Sequence, residues 1–115
     1  MAEQLNPMVI TDPDDGREYT LEYSRKTAAK TEQSGLNIEE LESKPMTMIP
    51  LLFWGAFLMH HPYATRDLTD KILFDGMGGL KPEEMAHLGK LYAAPFQTLV
   101  STENSENPRK MSVKF

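Results

Sequence analysis

The alternation of apolar and polar residues changes period several times along the chain, and each change marks an element. Met8, Val9 and Ile10 form a short apolar run that ends in Thr11-Asp12-Pro13-Asp14-Asp15-Gly16, a stretch dense in turn-forming residues. From Glu18 to Tyr23 the pattern has period two, with Tyr19, Leu21 and Tyr23 on one face and Glu18, Thr20 and Glu22 on the other. That is the signature of a half-buried strand, so residues 8–23 predict a β-hairpin. A lone hairpin is marginal in water, so its Tyr/Leu face must pack on something else.

Beyond residue 23 the period becomes helical. Ser24 is placed to cap a largely polar helix over residues 25–34, with Gly35 where a left-handed terminator belongs. Asn37 followed by Glu40 resembles a capping box and predicts a short helix over 38–43, striped by Ile38 and Leu41 and ended by Lys44-Pro45. Thr47 then looks like the cap of a helix running to about His61, with Pro50 in its first turn and Pro62 as its stop. This segment is apolar on nearly every side, which predicts either a central core helix or one that shares its surface with a partner. Gly55 costs it about 1 kcal/mol against Ala and is tolerable where another part of the chain approaches closely. Thr65 caps a fourth helix to about Phe74, with Leu68, Ile72 and Leu73 as its buried stripe. After a Gly76–Gly79 connection, Pro82 opens a long helix marked by Met85, Leu88, Tyr92, Phe96 and Leu99 and kinked at Pro95.

The pattern therefore predicts a mainly α (α+β) fold, an N-terminal β-hairpin packed on a bundle of about five helices. It places one domain over residues 1–100 and a polar C-terminal tail over 101–115.

Composition narrows the chemistry. The 115 residues contain no Cys, which removes disulfides, thiolate nucleophiles and cysteine metal sites. A net charge of −5 argues against nucleic acid as a partner. The acidic excess lies wholly before residue 44, a distribution that disfavours acidic partners and favours basic ones. The longest apolar run, residues 46–59, falls short of the ~20 residues that span a membrane. Residues 1–10 lack the basic start and apolar core of a secretory signal, so the expected compartment is the cytoplasm.

No constellation carries catalysis. Adjacent helical residues point roughly 100° apart, so His60 and His61 do not converge on one metal and are expected to bond the last carbonyls of their helix. His87 has no carboxylate three or four residues after it. Read as a calcium loop from Asp12, the chain has Arg17 and Tyr23 where Gly and Glu are required. The Gly76–Gly79 segment lacks the Lys-Ser/Thr of a phosphate loop. The expectation is a non-enzymatic protein without metal or cofactor. Its best candidate site is an apolar partner surface made by Trp54, Phe57, Met59 and Tyr63, in a chain with eight Met, a residue that adapts to varied apolar partners.

Three blocks taken together resemble a known family. They are Glu18-Tyr19-Thr20-Leu21-Glu22-Tyr23-Ser24-Arg25-Lys26-Thr27, then Gly35-Leu36-Asn37-Ile38 with Lys44-Pro45-Met46-Thr47, and finally Leu51-Leu52-Phe53-Trp54-Gly55-Ala56-Phe57-Leu58 followed by His60-His61-Pro62. Over about residues 8–100 the chain resembles the small tail assembly chaperones of long-tailed bacteriophages and prophages of Gram-positive hosts. The resemblance implies a mostly helical, non-enzymatic protein of the host bacterial cytoplasm. It would coat the tape measure protein before the tail tube polymerises, and be absent from the mature virion. It also implies a longer form, made by ribosomal frameshifting, that recruits the tail tube protein. The family supplies no agreed binding-residue motif, so the contact residues remain those read from the chain itself. Self-association into a homo-oligomer along the client would use leftover apolar surface. The alternatives are a structural tail or connector subunit retained in the virion, and a small helical adaptor.

Overall fold

A computed structural model of the chain describes residues 5–98 and 114–115. Strands β1 (Met8–Thr11) and β2 (Glu18–Leu21) form an antiparallel hairpin with Met8 opposite Leu21 and Ile10 opposite Tyr19. Four α-helices follow: α1 (Arg25–Gln33), α2 (Pro45–Phe57), α3 (Arg66–Lys71) and α4 (Pro82–Ala93). The fold is mainly α with a small β element. The expected boundary at residue 100 and all but the last two residues of the expected tail lie outside the described residues, as does Leu99.

The helix count is four rather than five because residues 38–43 never become a helix. Asn37 accepts only the Glu39 N–H, at 3.1 Å, and the turn that follows is a single 3-10 turn, Ile38–Glu40. The next helix also starts earlier than its sequence suggests. Thr47 does not cap it; Pro45 occupies its first position, where the missing N–H has no intrahelical partner to lose. Pro50 consequently lies in the interior of α2, not in its first turn. At the other end α2 closes at Phe57, and residues 58–64 form turns instead of continuing to His61.

α2 is the core of the molecule. Leu52, Phe53, Ala56 and Phe57 have no exposed surface, and α1, α3, α4 and β2 all pack on it. The expectation that this helix is too broad for its own domain to cover is therefore not met: only Met46 in its first turn stands well out, at 80 % exposure, and Trp54 is half-buried. The hairpin supplies one wall through Tyr19, Leu21 and Tyr23, as the period of two requires. Phe53 meets Phe57 edge-on at 5.1 Å between ring centroids, and Tyr19 meets Phe57 at 5.6 Å.

Helix α1 approaches α2 at Gly55. A Cβ at that position would collide with Thr31 Oγ1, with Tyr23 Oη and, at 2.6 Å, with Thr31 Cγ2. Glycine is therefore a packing requirement here. Thr31 and Tyr23 are buried polar residues and both are bonded: Thr31 Oγ1 donates to Thr27 O at 2.7 Å, and Tyr23 Oη donates to Leu52 O at 2.5 Å. Burial pushes the Tyr23 hydroxyl far above its ordinary pKa, which holds it as a donor.

After α3 the chain makes a wide π turn, Ile72–Gly76, in which Met77 N–H reaches Ile72 O at 2.8 Å. The extra residue rotates the apolar stripe. Leu73 is buried, but Leu68 is 38 % exposed and Thr69 takes the inward position that spacing had given to Leu68. Helix α4 ends at Ala93, and a 3-10 turn, Ala94–Thr98, carries Pro95 where the long helix was expected to kink.

Candidate partner-binding surface

The segment joining α2 to α3 is short and held at several points. Leu58 is buried beneath it, His61 N–H donates to Phe57 O at 2.7 Å, and Ala64 N–H donates to His61 O at 3.0 Å. The Trp54 indole N–H closes it from the helix side by donating to Ala64 O at 3.0 Å. From the hairpin side, Thr20 N–H donates to His61 Nε2 at 3.0 Å, and His60 Nε2 meets Glu22 Oε1 at 2.8 Å. The two imidazoles therefore engage β2 and its following residue, not the terminal carbonyls of α2.

This arrangement has an electrostatic consequence. His61 Nε2 is an acceptor, so its ring is neutral with the proton on Nδ1. Burial, with the neighbouring His60 as a second cause, lowers its pKa below the usual histidine value. Tyr19 packs against the same ring edge-on at 5.4 Å. The Glu22 N–H also donates to Ala56 O at 2.9 Å, so the edge of β2 away from β1 is covered by the end of α2.

With its backbone fixed, the segment turns its remaining side chains outward. Tyr63 is 94 % exposed and Met59 is 43 % exposed. Pro62 lies between them and lines two shallow depressions. One, of about 380 Å³, lies beside Met59 and is bordered by Lys26 and Lys30 of α1. The other, of about 490 Å³, lies beside Tyr63 and is bordered by Arg17, Glu18 and Leu68.

Of the four residues expected to form the surface, the structure brings Met59 and Tyr63 together on this segment. Trp54 stands behind them as a support, its indole committed to Ala64. Phe57 is corrected: it is wholly enclosed and presents nothing to a partner, because its ring fills the space between Phe53 and Tyr19. Sequence reasoning missed Leu68, Arg17 and Glu18, which reach the same surface from α3 and the hairpin. The outward phase of Glu18 in the alternation was the one available signal.

Elsewhere, Tyr92 Oη donates to Glu32 Oε2, and burial followed by that carboxylate raises the Tyr92 pKa. His87 bonds through Nε2 to Asn6 O at 2.6 Å. Among the described residues no group of three or more His, Asp or Glu side chains is arranged to hold a metal ion, and no helix is long and apolar enough to cross a membrane.

The family described as "Domain of unknown function (DUF5055)" matches residues 1–115, and the chain belongs to it. No curated protein and no solved structure matches the chain.

Proposed function

We propose that the chain is a non-enzymatic phage tail assembly chaperone, which binds the tape measure protein in the host bacterial cytoplasm and leaves before the virion is complete. The observation that carries this reading is the α2–α3 segment. It is bonded at Trp54, His60 and His61, yet it displays Met59 and an almost fully exposed Tyr63. Exposed aromatic and Met side chains on a fixed backbone suit repeated contacts with a long apolar client, because little side-chain entropy is lost on binding. Each contact is small, so release is easy. Many copies along one client supply the avidity. The resemblance over residues 8–100 supports the same role and adds the tail tube protein as a partner of a longer form.

Co-expression with the tape measure protein tests the proposal. The expected result is a client that stays in the soluble fraction only when this chain is present. A client that precipitates equally with and without it removes the chaperone reading. Mass spectrometry of purified particles separates the structural alternative, since a retained tail or connector subunit would be found there.

A further inference from the structure

A third groove, of about 610 Å³, runs between the hairpin turn and the π turn, and it shares Arg17, Tyr19 and Leu68 with the depression beside Tyr63. Its floor is apolar, made by Ile10, Tyr19, Leu68, Ile72 and Met77. Its rim carries four carboxylates, Asp12, Asp14, Asp15 and Asp75, against two cations, Arg17 and Lys71. The carboxylates are not equivalent. Asp12 Oδ1 accepts Asp14 N–H and Asp15 Oδ1 accepts Arg17 N–H, both at 2.9 Å, which commits these two side chains to shaping the turn. Asp14 and Asp75 are exposed on opposite sides of the groove, and neither side chain is used in a hydrogen bond or ion pair among the described residues. At the far end of the surface, beside Met59, the bordering charges are instead Lys26 and Lys30.

We propose that this groove seats a segment of a partner protein that carries apolar side chains beside Lys or Arg, as the continuation of the surface around Tyr63. The apolar floor takes the apolar side chains, and Asp14 and Asp75 take the cations from either side. The opposite sign of charge beside Met59 gives the whole surface a polarity, so a bound segment lies in one direction along it. This assignment rests on the reading of the chain as a binding protein, but its test uses no tape measure protein, so the two can fail separately.

The probes are a synthetic amphipathic peptide of leucine and lysine and its leucine–glutamate counterpart, each titrated into the full-length chain and followed by amide NMR shifts. The expected result is binding of the lysine peptide with shifts in residues 10–17 and 68–77, weakened by added salt. The glutamate peptide is expected to bind at least about tenfold more weakly. Replacing both exposed carboxylates, Asp14→Asn with Asp75→Asn, should lower the affinity for the lysine peptide about three- to tenfold while leaving the unfolding midpoint in place. Equal affinity for the two peptides, indifference to the double substitution, or shifts confined to residues 58–64 would each overturn the proposal. So would sedimentation showing that a second copy of the chain already fills the groove.

Discussion

Gly55 illustrates how one missing side chain sets the distance between two helices. The helix-propensity rule says that Gly55→Ala should stabilise α2 by about 1 kcal/mol. The packing says otherwise, because the new methyl group would overlap Thr31 and Tyr23. Overpacking of this kind costs about 1–3 kcal/mol, so the substitution is expected to lower the urea midpoint. Thr31→Ala removes two of the three colliding atoms. In combination with Gly55→Ala it should lose clearly less stability than the two single changes added together. Additive losses in this double-mutant cycle would mean that the close approach does not set the spacing. The glycine's role was half readable from the chain: a close neighbour could be inferred, but its identity could not, since Thr31 and Tyr23 lie in other elements.

The elements divide along the same line. Features set by nearest neighbours were readable. Ser24 does cap α1, in a box closed by Thr27 Oγ1, and Thr65 does cap α3. The alternation Tyr19, Leu21, Tyr23 does mark the buried face of β2. Features set by distant contacts were not readable. The π turn after α3 and the early end of α2 leave no local mark, and the link from Thr20 to His61 spans 41 residues. That link makes the union of hairpin and α2 sensitive to acid. The folded state lowers the His61 pKa, so it favours the neutral ring. Stability from this contact is present above the unfolded value near 6.5 and is lost as pH falls through the lower folded value. Urea midpoints taken from about pH 7.5 down to about pH 5 should fall more steeply for the native chain than for His61→Gln, which titrates nothing at this position. Parallel profiles for the two proteins would rule out His61 as the group responsible.

At the scale of the whole molecule, burial separates residues that hold the fold from residues that face outward, although all four candidates come from one apolar stretch. Met59→Ser and Tyr63→Ser should each leave stability within about 0.5 kcal/mol of the parent while reducing client solubility in co-expression. Phe57→Ala should cost about 3–5 kcal/mol, so any loss of client binding in that variant reports unfolding. If Met59→Ser with Tyr63→Ser keeps the client fully soluble, the α2–α3 segment is not the contact. Sequence alone could not make this division, because adjacent apolar residues at the end of a helix share a composition and differ only in which way the chain turns next. The covered edge of β2 carries a last implication. His61 and Ala56 occupy its outward donors, and β1 pairs only with β2. Strand addition can therefore begin only alongside Val9. Two copies meeting there would make a four-stranded sheet sealed at both ends, so the hairpin permits a closed pair and blocks growth into a fibre.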